Sequence, residues 1–411
     1  MGLEYFILIC GYVFGFYMAW NIGANDVANS MASAVGAKAI TIRQAVFLAG
    51  ILNVVGAVFI GSHVTDTIRK GIVATDVLSD PHVAMVGALA ALLSAALWVS
   101  FSTWKALPVS TTHSIVGAMI GFGIVGGGFS VINWGKLGAV VASWVISPVF
   151  ALILSYVMFK CIVWFVYGKR DSSGAALRFS PVFIGIAVFI VVLSFLFKTP
   201  LGKSLAFGGG WAVALAVVIA AVVGIVGRAL ISRFGIRHEG DETETIFRRI
   251  QIGTSCYVAL AQGANDVANA VGPLALIYYI VKTGGVAGIN KVPVPVFLLA
   301  FGGIGIAAGI AMAGARVIET VGSKITTLNN TRGFSVDFAA ATTVLAASKM
   351  GLPVSTTHAA VGGVIGVGLA RGFEAVNFRI LYAIMLYWVL TVPVAAITSV
   401  VLFKLLGLIF L

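Results

Sequence analysis

Two short segments, each present twice, carry the residues that can do chemistry. Residues 23–29 and 263–269 both read GANDVAN, and residues 107–113 and 352–358 both read LPVSTTH. The first pair supplies oxygen ligands. Asn25 and Asn29, like Asn265 and Asn269, stand four apart and share a helix face, with Asp26 and Asp266 beside them. Carboxylate and amide oxygens are hard ligands that suit a cation such as Na⁺. Adjacent Gly and Ala would let the backbone unwind there. The bland alternative is Asn or Asp capping a helix end at the water interface, but capping does not require the whole neighbourhood to recur.

The second pair supplies hydrogen-bond donors. Pro108 and Pro353 fit the first turn of a helix, and Ser110, Thr111 and Thr112, like Ser355, Thr356 and Thr357, follow with hydroxyls. A helix that begins inside a membrane turns free N–H groups and a positive dipole end toward whatever faces it. Two such ends in opposition would surround a tetrahedral oxyanion with donors. One copy alone reads equally well as a Pro-kinked helix whose hydroxyls bond back to their own backbone; two copies favour the anion site. His113 and His358 follow the serines at a spacing compatible with a Ser/His hydrolytic pair. A duplicated dyad with no third orienting group makes little sense, so satisfaction of the rings by neighbouring polar groups is the simpler expectation. Lys105 and Lys349 precede the motifs, placed either to snorkel to an interface or to draw anions to the mouth of a site.

The elements that position these residues must be membrane helices. The chain has 411 residues, 60% hydrophobic and 10% charged, against roughly 25% charged in an average soluble domain. Its apolar residues form long continuous runs, for example 5–22, 83–101, 137–157, 211–230 and 380–411. A helical crossing takes ~20 apolar residues, which gives about 10–12 crossings, some short or broken. A transmembrane β-barrel would alternate apolar with polar residues, and these runs do not. Residues 1–20 run straight into the first motif without a basic leader or a cleavage site, so they read as the first span rather than a signal peptide. The formal charge of +12 is scattered between spans, as a positive-inside excess would be, and is not gathered on one domain as nucleic-acid binding requires. Cys10, Cys161 and Cys256 lack paired spacing and read as small buried hydrophobes.

The order of the motifs makes the chain a duplication. Asn25 and Pro108 are 83 positions apart, and Asn265 and Pro353 are 88 apart. Between them, residues 61–67 weakly match residues 314–320, with Asp66 against Glu319; these two are either further cation ligands or interfacial charges. The first copy spans residues 1–165 and the second 250–411. Residues 166–249 hold two connecting helices and a polar segment, 228–249, whose arginine excess favours the cytoplasmic side. Secondary transporters built from repeats place their site at the repeat interface near the bilayer midplane. The span count leaves parallel and inverted copies both open.

The paired GANDVAN and LPVSTTH segments closely resemble the signature repeats of the inorganic phosphate transporter (PiT) family, over both halves of the chain. The short connection between the halves is similar to that of prokaryotic members. The resemblance implies an all-α polytopic protein of the inner (plasma) membrane with two inverted repeats, broken or re-entrant helices at the centre, and a homodimeric assembly. It also implies a central phosphate site coupled to Na⁺ or H⁺, with no organic cofactor. Some relatives carry sulfate. On this reading Asn25, Asp26, Asn29, Asn265, Asp266 and Asn269 hold cations, and the six Ser and Thr hydroxyls hold phosphate. The charges supply a coupling mechanism. Two aspartates and a phosphate dianion together place about four negative charges in one low-dielectric cavity, and no arginine lies in either motif to offset them. Na⁺ suits the amide-rich motif, while an aspartate there can also take a proton. The rivals are an intramembrane Ser/His hydrolase and a passive anion channel.

Overall fold

The computed structural model describes residues 2–61, 80–198, 202, 208–234, 241–285, 294–349 and 354–411. Asp66, Pro353, Arg237 and Glu239 lie outside them. The described residues form thirteen α-helices and no strand: α1 (Leu3–Gly36), α2 (Ile42–Ile60), α3 (Pro81–Trp104), α4 (Thr111–Gly127), α5 (Trp134–Ile162), α6 (Ser172–Lys198), α7 (Gly209–Phe234), α8 (Glu242–Thr283), α9 (Val296–Ala313), the short α10 (Ala315–Glu319), α11 (Asn330–Lys349), α12 (Thr356–Leu369) and α13 (Phe378–Phe410).

Eight of these are long and apolar enough to cross a membrane, by length and composition. The apolar helices α4 and α12 are shorter. The long α8 and α11 fall below that apolar standard because they carry buried polar residues along their length, among them Gln251, Gln262, Asp266 and Asp337. Val217, Val218, Val222 and Ile225 on α7 and Val389, Ile397 and Leu408 on α13 face outward, which water would penalise and lipid does not.

Helix starts follow local chemistry. Thr41 and Gln44 form a reciprocal capping box at α2, satisfying two orphan donors at once. Asp80 caps α3 ahead of Pro81. Among the described residues of the polar segment 228–249, all but Asp241 are helical. α7 runs to Phe234, and Asp241 caps α8 by accepting from the Thr243 N–H at 2.9 Å. Glu242 and Glu244 in the first turn match the positive dipole end.

The helix packing repeats across the two halves. α1 packs on α9 and α8 on α2; α4 packs on α13 and α12 on α5; α1 packs on α3 and α8 on α11. The closest contacts repeat residue for residue. A Cβ at Gly23 would stand 1.9 Å from the Ile306 carbonyl oxygen, and one at Gly309 would stand 1.7 Å from that of Trp20. In the other half, Gly263 meets the Asn53 carbonyl at 2.2 Å and Gly56 meets that of Leu260 at 2.1 Å. Only glycine permits this backbone-to-backbone approach, the usual way membrane helices gain packing energy. It also corrects one expectation. GANDVAN does not unwind: both copies lie inside continuous helices, α1 and α8, and their first glycines serve close packing instead. Along α1 and α8 the contacts run in opposite directions, Gly11 beside Ile277 and Gly15 beside Leu274.

Candidate functional site

The breaks that open the centre of the molecule fall in LPVSTTH. After α3 the chain reverses through Ala106, which takes a left-handed φ of 55°, and the Leu107 N–H bonds back to the Ser102 carbonyl at 3.0 Å. Pro108 sits in the extended segment that follows and not in the first turn of α4, because Ser110 is the N-cap. Its hydroxyl oxygen accepts from the His113 backbone N–H at 3.1 Å. Ser355 does the same for α12, accepting from the His358 N–H at 3.2 Å. The N–H groups of the following threonines are the orphan donors of each helix start.

Both helix starts converge on the middle of α1 and α8. Asn29 donates to the hydroxyls of Thr356 and Thr357 at 3.1 and 3.0 Å. Asn269 donates to those of Thr111 and Thr112 at 3.2 and 3.1 Å. Each asparagine therefore holds the threonines of the opposite copy. The Thr111 hydroxyl donates to Asp26 at 2.6 Å, and that of Thr357 lies 3.3 Å from Asp26 and 3.1 Å from the Val109 carbonyl. Thr356 bonds Asp266, whose other neighbour is the Asn265 amide at 2.9 Å. The two carboxylates are buried and close enough to repel one another. Taking such a charge out of water is costly unless a partner offsets it.

Not every residue of the two motifs faces this centre. Asn25 is fully buried and its amide is spent on the chain reversal: it donates to the Thr103 hydroxyl at 2.9 Å and the Leu107 carbonyl at 3.1 Å, and accepts from the Val109 N–H at 2.9 Å. It positions LPVSTTH. Asn29 and Asn269 are different, since each keeps a buried side-chain oxygen with no hydrogen-bond partner. Those oxygens and the two carboxylates are acceptor groups gathered at the centre, and the threonine hydroxyls and helix starts are the donors beside them. Glu319 is exposed, at the end of α10. The Lys105 ammonium lies 4.2 Å over the exposed Trp104 ring, a cation–π contact.

The histidines pair with each other instead of with the serines. Their ring centroids are 4.7 Å apart, edge to face. His358 stacks on Trp388 at 3.8 Å and His113 packs on Trp144 at 4.5 Å. Trp388 in turn donates to the Pro108 carbonyl at 3.1 Å, so this aromatic wall braces the break. Neither His113 ring nitrogen has a partner, and no serine–imidazole bond forms. Sequence reasoning missed the tryptophans and the two prolines, Pro148 and Pro393, that sit inside the matching helices α5 and α13. The equivalent spacing of these residues after each STTH was the available signal. It also missed Asp337, a third acid inside an apolar run, buried on α11.

The chain is similar to known proteins over most of its length. Residues 22–399 match the family model described as the phosphate transporter family. A Thermococcus kodakarensis protein with phosphate permease in its name is 50% identical over 97% of this chain and 97% of its own. Inorganic phosphate transporter 2-1, chloroplastic, of Arabidopsis thaliana is 42% identical over 95% of this chain and 70% of its own. A solved structure titled the sodium-dependent phosphate transporter is 46% identical, covers 98% of this chain and 99% of its own, and superposes with a TM-score of 0.89. The relatives are transporters and not enzymes, the helices are those of a multi-pass membrane protein, and the chain belongs to the phosphate transporter family.

Proposed function

We propose that this protein imports inorganic phosphate together with Na⁺ by alternating access across the cell's inner membrane. The observation that carries the reading is the crossed pairing at the centre. Asn29 holds Thr356 and Thr357, Asn269 holds Thr111 and Thr112, and each set stands against a buried aspartate. The hydroxyls and helix starts are the phosphate donors, and Asp26, Asp266 and the free oxygens of Asn29 and Asn269 are the cation ligands. A phosphate dianion entering between two carboxylates meets a repulsion of ~4 kcal/mol per charge pair at ~4 Å and an effective dielectric of ~20. A cation that binds the carboxylates removes it. Binding of either ion then favours the other, and that linkage is the coupling. The relative titled sodium-dependent supports Na⁺ as the ion.

The antiparallel run of α1 and α8 supports inverted repeats, 1–165 and 250–411, joined by 166–249. In such a pair one geometry serves both faces, and rocking of one half against the other exposes the same site to each side. A homodimer in the bilayer is the assembly that fits the family resemblance. The test is uptake of labelled phosphate into proteoliposomes with and without an inward Na⁺ gradient, with sulfate as competitor. Gradient-driven phosphate uptake that sulfate does not suppress is expected. Uptake driven equally well by a proton gradient alone would replace Na⁺ with H⁺.

A further inference from the structure

A narrow cleft runs between α8 and α11. Tyr257, Ala261, Val344 and Leu345 line it, and it reaches Asn29 and Thr356 at the centre. The start of α8 belongs to the arginine-rich segment, which the positive-inside rule assigns to the cytoplasm. Arg248, in that first stretch of α8, donates to the Ala39 carbonyl just beyond the end of α1 at 2.8 Å. The end of α1 and the start of α8 therefore share the cytoplasmic side, and the cleft lies on that side of the centre.

The duplication says where the matching external cleft would lie. The GANDVAN copies are 240 positions apart and the LPVSTTH copies 245 apart. α3 and α11 end at Trp104 and Lys349, again 245 apart. On those offsets Tyr257 and Ala261 correspond to Tyr17 and Asn21 of α1, and Val344 and Leu345 to Val99 and Ser100 of α3. At these positions the α1–α3 seam is closed: Asn21 and Val99 are buried, whereas their counterparts Ala261 and Val344 are partly exposed.

Hydrogen bonds cross the closed seam. The Ser100 hydroxyl donates to the Asn21 side-chain oxygen at 2.7 Å, which leaves its own oxygen to accept, and the Tyr17 hydroxyl donates to it at 2.5 Å. The Asn21 amide nitrogen donates to the Tyr17 carbonyl at 2.9 Å, fixing which way the asparagine points. Two of these bonds join α1 to α3. On the cytoplasmic side Ala261 and Leu345 stand where Asn21 and Ser100 would be, and neither side chain can hydrogen-bond. The tyrosines are duplicated; what meets them is not.

We propose that Tyr17, Asn21 and Ser100 form a latch that holds the external cleft shut, and that the lack of a cytoplasmic counterpart makes the inward-facing form the resting form of the unloaded carrier. Opening outward separates α1 from α3 and breaks both crossing bonds. Closing the cytoplasmic cleft makes no equivalent bond at Ala261 and Leu345. Phosphate arriving from outside binds only the fraction of molecules whose latch is open, and its apparent affinity on that face falls by that fraction. The latch rests on the alternating-access reading, and the experiment separates the two.

The experiment reads both seams by thiol labelling. The full-length protein, with Cys10, Cys161 and Cys256 changed to Ala, carries either Val99→Cys or Val344→Cys in membrane vesicles of known orientation. A charged, membrane-impermeant maleimide is added on the external side for the first and on the cytoplasmic side for the second. Tyr17→Phe is expected to speed labelling of Val99→Cys and to slow that of Val344→Cys, by roughly fivefold in the open fraction for the bond lost. Ser100→Ala loses both crossing bonds and is expected to shift both rates further in the same directions. Building the missing latch with Ala261→Asn and Leu345→Ser is expected to slow labelling of Val344→Cys. Unchanged rates in Tyr17→Phe and Ser100→Ala overturn the latch. Faster labelling of both thiols also overturns it, because loosened packing exposes both seams while a shifted equilibrium exposes one and hides the other. If Na⁺ with phosphate alters labelling of the two thiols while the latch variants do not, the latch falls and the alternating-access reading stands. If Na⁺ with phosphate alters neither thiol, both fall.

Discussion

Asn29 in the first half of the chain donates its amide hydrogen to the hydroxyl of Thr357 in the second, 3.0 Å away and 328 positions along the chain. Its mirror, Asn269, reaches back to Thr111 at 3.2 Å. The two halves thus complete each other's half-site, and neither copy of the duplicated unit holds a whole one.

This crossed pairing predicts coupling between residues of opposite copies. Asn29→Ala and Thr357→Val should each weaken phosphate binding, and the double variant should lose less than the sum. The interaction energy in the double-mutant cycle should be ~0.5–1.5 kcal/mol, the net worth of one buried hydrogen bond. Calorimetric titration of phosphate measures it. Strict additivity would mean that the two side chains act independently.

The serines and threonines of STTH should separate by phenotype. Ser110→Ala and Ser355→Ala remove N-caps, whose loss costs ~1 kcal/mol of stability, and should lower the melting temperature. Thr111→Val and Thr356→Val keep the shape, lose a hydroxyl that faces a carboxylate, and should chiefly change ion affinity. Thermal unfolding in detergent and phosphate titration on the same four proteins check both halves of the statement. Loss of stability in the threonine variants with unaltered affinity would place those hydroxyls outside the site.

Close helix approach makes a stability prediction. Gly309→Ala drives a methyl into the Trp20 carbonyl at 1.7 Å and should destabilise by at least the ~1–3 kcal/mol typical of overpacking. Gly253→Ala, in open space within α8, should instead stabilise by ~0.5–1 kcal/mol through helix propensity. Melting temperatures that move in the same direction for both would contradict the packing described.

The duplicated motifs were legible from the chain alone because two seven-residue identities in the same order leave little alternative, and the apolar runs announced the bilayer. The roles within each motif were not. Asn25 and Asn29 look equivalent in sequence, yet one is consumed by the Val109 N–H and the Leu107 carbonyl, while the other spans to Thr356 and Thr357. That difference depends on contacts between residues far apart along the chain, which no local pattern encodes. Asp337 escaped notice because it sits in the middle of an otherwise apolar stretch, while the hydroxyls that receive it come from α1 and α8. Gly23 and Gly263 suggested an unwound backbone; the helices stay regular because the glycines relieve contact with a neighbouring backbone and not strain in their own.

The central claim is that cation and phosphate bind one site whose two aspartates must be neutralised together. Calorimetric titrations of phosphate with and without Na⁺, and of Na⁺ with and without phosphate, test it most directly. In wild type, each ion should raise the affinity for the other by the same factor, because linkage requires that equality, and the coupling should be ~1–3 kcal/mol. Asp26→Asn and Asp266→Asn each remove one negative charge and keep the side chain's shape. Each variant should bind Na⁺ poorly and lose coupled uptake while retaining weak phosphate binding. Wild-type phosphate affinity that ignores Na⁺, or an aspartate variant that loses phosphate binding and keeps full Na⁺ binding, would contradict the account.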